Sequence, residues 1–399
     1  MASGKNLHME HIEDEIINLG TRGGEKAIKI LKEMGVFLSG KPSNKTSITT
    51  KFDGAPAIIC GTDPSDGKFF IGTKSVFAKT EPKLCKTELD VKKMYDGVLA
   101  NKLSAALRYL KDANIKGVLQ GDLMFTDDKK SEQIKGKQFI TFRPNTITYA
   151  IEPNTPMGEH IKNAKLGIVF HTKYTGDTLP EMTSSFKIND DDFKSGGQVW
   201  AQKAEFKDIS GSANMTTAER SQYDAAVNRA EGSLKKCGDI LNKIQTGKKT
   251  LQVDTEFKKF FNGYVRSGQS IPSVQKAYND FFYHIGGEFD KVISKNKTLK
   301  AQESKVTKFV EIVDFLDTNK EQVKMLIALY MNIQYAKNIL VKKMERVSDL
   351  HMFADMGNGN YKVTTPEGFV CITGKDAVKL IDRLNFAMLN FTLPKNFGK

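Results

Sequence analysis

The hydrophobic pattern of this chain changes period twice, and that constrains its fold more than any other feature. From Ser47 to about Phe186, short runs lie between Gly, Pro and Asp clusters: SITTKF, AIICG, KFFIGTKSVF, GVLQGDLMF, QFITFR, TITYAI and LGIVFHTKY. Runs rich in β-branched and aromatic residues read as strands. One amphipathic stretch among them, about Asp90–Asn114, reads as a helix. From about Thr216 to Ser348 the spacing is helical and predicts five helices, at about 217–246, 254–267, 273–294, 301–316 and 319–347. Thr216-x-x-Glu219 and Thr318-x-x-Glu321 are both candidate capping boxes. Strand texture then returns in NYKVTTPEGFVCIT, with a predicted helix over Lys375–Asn390. Two short helices, 8–19 and 24–35, precede the first strand, with LGTRGG as the turn between them. The pattern predicts an α+β fold of antiparallel sheets with helices, interrupted by an all-α insertion. The expected division is a helical extension (1–40), a first α+β part (41–200), the insertion (201–352) and a second α+β part (353–399).

Composition narrows the class. Lys and Arg number 60 against 47 Asp and Glu, a net charge of +13, which suggests a polyanionic partner. No run approaches ~18 apolar residues, so no membrane-spanning helix is expected. The acid-bearing start MASGKNLHMEHIEDEII does not read as a secretory signal. Cys60, Cys85, Cys237 and Cys371 are scattered without a CxxC pair and read as reduced thiols of a cytoplasmic protein.

The sharpest local feature is Thr50-Lys51-Phe52-Asp53-Gly54-Ala55-Pro56, a lysine at the end of a strand before an Asp-Gly turn. A lysine amine becomes nucleophilic when desolvation or nearby positive charge lowers its pKa. Three further segments add to it: Gly121-Asp122-Leu123 in an apolar strand, Val169-Phe170 in another, and Glu367-Gly368-Phe369-Val370 on the returning β segment. Lys379 follows Glu367 by 12 positions. Nucleotidyl transfer needs such a kit: a lysine nucleophile, carboxylates for ribose and metal, an aromatic for the base and a second lysine for the α-phosphate.

In this order and spacing the residues resemble the covalent nucleotidyltransferase superfamily, which holds ATP-dependent polynucleotide ligases and capping enzymes. Lys51-Phe52-Asp53-Gly54 matches its K-x-D-G motif and Glu367-Gly368-Phe369-Val370 its E-G-x-V motif. The chain also resembles a family of large tailed phages. The resemblance implies an ATP-grasp-like ligase adenylation domain without a C-terminal OB domain, because only 20 residues follow Lys379. It implies that Lys51 attacks ATP to form lysyl-AMP, that Lys379 and Lys74 contact phosphate, and that Gly54 belongs to the nucleotide site. It further implies that Asp122 binds the ribose, that Phe170 stacks on adenine, and that Glu367 and Asp53 serve Mg²⁺ or Mn²⁺. The implied activity is sealing of 5′-phosphate and 3′-hydroxyl ends, with RNA ahead of nicked duplex DNA as partner. Other acceptors, or an inactive fold used for nucleic-acid binding or assembly, stay open. Ala55-Pro56-Ala57 stands where the superfamily carries an Arg after K-x-D-G, and Ile381 where it carries a second lysine, for which Lys375 or Arg383 could substitute. His171 reads as a polar-pocket or satisfied structural histidine, and His8 with His11 as a solvated helix face.

The insertion has its own charge: residues 201–352 hold 25 Lys or Arg against 18 Asp or Glu. Lys235, Lys236, Lys248 and Lys249 form one cluster, and Lys291, Lys295, Lys297 and Lys300 another, with aromatics such as Phe260, Phe281 and Tyr283 nearby. Such clusters suit phosphate contact without sequence readout. They equally suit a solubilising surface over an aromatic core.

Overall fold

The computed structural model describes residues 9–39, 46–206, 213–246, 253–345, 347, 350–357, 359–374, 376–384 and 386. The chain starts with helices α1 (Glu15–Leu19) and α2 (Thr21–Phe37). The turn between them is the single residue Gly20 at φ 63°, not the six residues of LGTRGG. Strands β1 (Thr46–Lys51), β2 (Ala57–Thr62) and β3 (Phe69–Gly72) follow. The helix expected over 90–114 is two, α3 (Glu88–Met94) and α4 (Gly97–Leu110), because Tyr95 and Asp96 are extended between them. Strands β4 (Val118–Phe125), β5 (Lys130–Ile134), β6 (Lys137–Phe142) and β7 (Ile147–Ile151) lead to helix α5 (Pro156–Asn163). Then come β8 (Leu166–Thr175), β9 (Thr183–Ser185) and β10 (Val199–Lys203).

The insertion is α6 (Thr217–Thr246), α7 (Val253–Arg266), α8 (Val274–Lys295), α9 (Leu299–Thr318) and α10 (Lys320–Met344), close to the bounds its periodicity predicts. Thr216 and Glu219 form the expected capping box, the Glu219 carboxylate accepting from Thr216 N–H at 2.8 Å. Thr318 does not: it closes α9, and Asn319 takes the N-cap position of α10. Strands β11 (His351–Asp355), β12 (Tyr361–Val363), β13 (Gly368–Thr373) and β14 (Asp376–Leu380) return the chain to the α+β part. Residues 376–380 are thus a strand where a helix was expected. Val378 and Leu380 alternate into the core as β14 pairs with β13. No helix among the described residues is long and apolar enough to cross a membrane.

Three sheets organise the molecule: β1-β13-β14, β10-β8-β4-β2-β3 with β9 on β8, and β12-β11-β7-β6-β5. The three-stranded sheet is antiparallel, with Lys51 opposite Gly368 and Lys379 opposite Val370. Its rear face (Ile48, Phe369, Cys371, Val378, Leu380) belongs to one apolar core with α1, α2 and the insertion helices. The N-terminal helices and the insertion therefore share their interior with the sheet that carries the K-x-D-G lysine. The chain after β10 also crosses between sheets: Thr50 N–H donates to the Ala204 carbonyl at 2.6 Å, and Phe206 N–H to that of Ile48 at 2.8 Å.

Candidate nucleotide-handling site

Side chains alternate along a strand, so the front face of the three-stranded sheet follows from its register. Lys51, Thr49, Val370 and Lys379 share that face, opposite the apolar rear. The Lys51 ammonium forms an ion pair with Glu367, the residue before β13. Burial pushes the Glu367 carboxyl up; Lys51 opposes this, and the charges of Asp53 and Asp122 add to it. Burial pushes the Lys379 ammonium down, as does the charge of Lys51, while Glu367 pulls the other way. Lys51, Lys379, Glu367, Asp53 and Asp122 thus lie within one electrostatic neighbourhood. These residues come from three regions far apart in sequence, 51–53, 122 and 367–379.

Asp53 is held by a set of hydrogen bonds of its own. Its carboxylate accepts from Asn145 Nδ2 at 2.8 Å, Thr146 N–H at 2.7 Å and Ile147 N–H at 2.9 Å. Its own N–H donates to the Tyr149 hydroxyl at 2.7 Å. Asp53 therefore ties the K-x-D-G turn to the start of β7. Gly54 meets Asp122 so closely that a Cβ there would lie 2.5 Å from the Asp122 Cβ. The turn needs glycine for close approach.

Asp122 on β4 faces His171 on β8, Oδ1 to Nε2 3.7 Å apart. The other His171 nitrogen, Nδ1, lies 2.7 Å from Thr172 Oγ1. Phe170, one residue earlier, points to the opposite face of the sheet. It is fully buried against Phe193, ring centroids 4.9 Å apart, in the core under α4. The stacking role expected for Phe170 is thereby corrected: strand parity gives the Asp122 side to His171. Lys74 stands exposed on a one-turn helix after β3, two strands beyond β4.

Of the two residues named for the missing second lysine, only Arg383 is among the described residues. Arg383 is committed elsewhere, to Asp14, Tyr330 and Asn262, and Lys375 lies outside the described residues. Lys102 of α4, which the sequence did not single out, lies next to the position of the absent Arg. Its Nζ donates to the Ala55 carbonyl at 3.4 Å, and burial lowers its pKa. Tyr149 was also missed. Burial holds its hydroxyl well up, and the charges of Asp53, Glu367 and Asp122 add to that. His11 is not on a helix but bridges Lys379 as an extended residue, and His8 lies outside the described residues.

A cleft of about 2180 Å³ lies beside this neighbourhood, lined by Thr49, Ile372, His171 and residues of α2; Lys51, Asp53, Asp122, Glu367 and Lys379 are not part of its lining. Among the described residues, no three His, Cys, Asp or Glu side chains converge to hold a metal. On the insertion, Lys235, Lys236, Lys291, Lys295, Lys297 and Lys300 are exposed, while Lys248 and Lys249 lie outside the described residues. Phe260, Phe261, Tyr278 and Phe281 are buried core; Tyr283 alone of the aromatics named with them is largely exposed, at 81%.

The model of a family of unknown function, DUF6267, matches residues 6–395, so the chain belongs to that family. Neither a curated protein nor a solved structure matches it.

Proposed function

We propose that this DUF6267-family chain is a covalent nucleotidyltransferase that adenylylates Lys51 and passes AMP to a polynucleotide end, RNA ahead of DNA. One observation carries the reading: Lys51 and Lys379 share a sheet face, with Glu367 bound to the first and Asp122 in the same field. A phosphoryl-transfer site works by placing cations around the phosphate and a nucleophile in line with the leaving group. Lys51 Nζ would attack the α-phosphorus of ATP, forming an N–P bond while the P–O bond to pyrophosphate breaks. Its surplus proton would leave to solvent water, while Glu367 holds the amine in place through their ion pair. Lys379 would face the charge developing on the α-phosphate.

Mg²⁺ or Mn²⁺ fits this donor set in one form. Glu367 would hold it with phosphate oxygens and water, as such ions are commonly held, rather than in an all-protein cage. Its contribution would be charge neutralisation on the phosphates. Asp53, which accepts three hydrogen bonds from residues 145–147, would fix the turn beside it.

A competing reading is an inactive nucleotidyltransferase fold that serves binding or assembly. It is favoured by Pro56 at the Arg position and by the commitment of Arg383 to Asp14. Incubation with α-labelled ATP and Mg²⁺, followed by denaturation, separates the two. Label retained by wild type and lost in Lys51→Ala supports transfer; absence of label on wild type refutes it. A chase with nicked RNA, nicked DNA and single strands then identifies the acceptor.

A further inference from the structure

The strand that carries Lys379 is gripped by the N-terminal segment. Lys379 N–H donates to the Glu10 carbonyl at 2.9 Å, and Ile12 N–H donates to the Lys379 carbonyl at 3.2 Å. His11, between them, forms a parallel bridge with Lys379. Residues 10–12 thus act as a further strand on the β14 edge.

The same segment is bolted to the helical insertion by buried charges. Glu13 pairs with Lys337 of α10 at 2.7 Å, both side chains fully buried. Asp14 accepts from the Tyr330 hydroxyl of α10 at 3.1 Å and pairs with Arg383 at 3.2 Å. Arg383, four residues after Lys379, also donates to the Tyr330 oxygen at 3.1 Å and to Asn262 of α7. Tyr330 stacks on Phe261 with ring centroids 3.8 Å apart. Two insertion helices, the N-terminal segment and the end of β14 therefore meet in one buried polar cluster. The Glu13 Oε2 and His11 Nδ1 atoms are buried there without a hydrogen-bond partner among the described residues. A cluster of this kind is costly to maintain for stability alone, since apolar side chains of similar size often serve as well.

We propose that the helical insertion positions Lys379: α10 and α7, through Lys337, Tyr330 and Asn262, set the register of residues 10–14 and so the place of the Lys379 ammonium beside Lys51. Glu13, Asp14, Tyr330, Lys337 and Arg383 are positioning residues, acting through Lys379. The inference rests on the nucleotidyltransferase reading, because Lys379 has a catalytic task only there.

Two variants test it. Tyr330→Phe keeps the ring and its stacking but removes the hydroxyl from Asp14 and Arg383. Glu13→Gln with Lys337→Met removes the buried pair together, leaving no lone charge. Circular dichroism and melting establish that each is folded. Two readouts are then taken. Hydrogen exchange at the Lys379 amide should speed up in both variants while the β13 amides keep their protection. Single-turnover formation of lysyl-AMP at saturating ATP should slow by about tenfold to a hundredfold, the scale of a small misplacement. On a Lys379→Gln background the same changes should have little further effect, because residues acting through one group are not additive. Unchanged Lys379 exchange, unchanged rate, or an undiminished further loss on the Lys379→Gln background would each overturn the inference. Absence of adduct on wild type would instead overturn the nucleotidyltransferase reading, and this inference with it.

Discussion

Gly54 and Asp122 touch at the centre of the candidate site, and that contact makes a sharp prediction. In Gly54→Ala the new methyl would have to share space with the Asp122 Cβ, the Leu123 carbonyl and the Met124 sulfur, all within about 3 Å. Neighbouring backbone cannot yield cheaply in a packed interior. The variant should stay folded and lose adduct formation by at least about tenfold, as a displacement of reacting groups costs; wild-type labelling kinetics would refute this. At this scale Lys51, Glu367 and Lys379 were nominated by the motifs of the superfamily the chain resembles, and the fold brings the three into one neighbourhood. Asp53 was nominated too, but its partners at residues 145–147 are invisible to local pattern. Phe170 was misassigned for a definable reason. Both faces of β8 are apolar through Leu166–Phe170, so polarity does not distinguish them until His171. The register with β4 shifts at Gln120 and Gly121, which sequence does not reveal.

Among the elements, the insertion helices were the most legible, since long amphipathic periods leave little choice. The capping box ahead of α6 can be tested directly. Thr216→Ala should cost about 1 kcal/mol in chemical denaturation, the ordinary worth of an N-cap. Here the Glu219 carboxylate also meets Lys343 of α10 and is held down to about 2, first by that hydrogen bond. No loss of stability in Thr216→Ala would contradict the cap. Strand β14 was illegible because DAVKLI, with apolar residues at 377, 378, 380 and 381, satisfies both a helical and a strand reading. Only pairing with β13 and with residues 10–12 decides between them. That decision matters for function, since it places Lys379 on a sheet face beside Lys51 rather than on a solvated helix.

Over the whole molecule, the α+β class was legible from the two changes of period. The shared interior was not: nothing local signals that α1, α2, five insertion helices and the rear of one sheet bury a common core. Glu345, at the C-cap of α10, tests that junction by pH. Burial pushes its carboxyl up to about 7, with Asp382 adding and the Thr365 hydrogen bond and Lys342 opposing. The folded protein thus holds this proton more tightly than the unfolded chain, whose value is near 4.5. The contribution to stability is complete below about pH 4.5 and is lost as pH rises through about 7. Glu345→Gln should therefore match wild type near pH 4 and exceed it at pH 8, by up to about 3 kcal/mol. A difference independent of pH would contradict the assignment. The insertion's exposed lysines make a separate prediction. Neutralising Lys291, Lys295 and Lys297 should weaken nucleic-acid binding and flatten its salt slope by about 0.7–0.9 for each phosphate no longer neutralised. An unchanged slope would mark these lysines as solubilising.

The crossing strand has one more consequence. Because residues 199–203 belong to one sheet and 204–206 bond to β1 of another, the two walls of the cleft are joined along that line like pages at a spine. The same two sheets also meet beyond β14, where Ile381 packs in one core with Phe125, Tyr149 and Trp200. The sheet that carries Lys51 and Lys379 is thus fastened to its neighbour at both ends, so the spacing of the two lysines is inherited from two seams rather than from one loop.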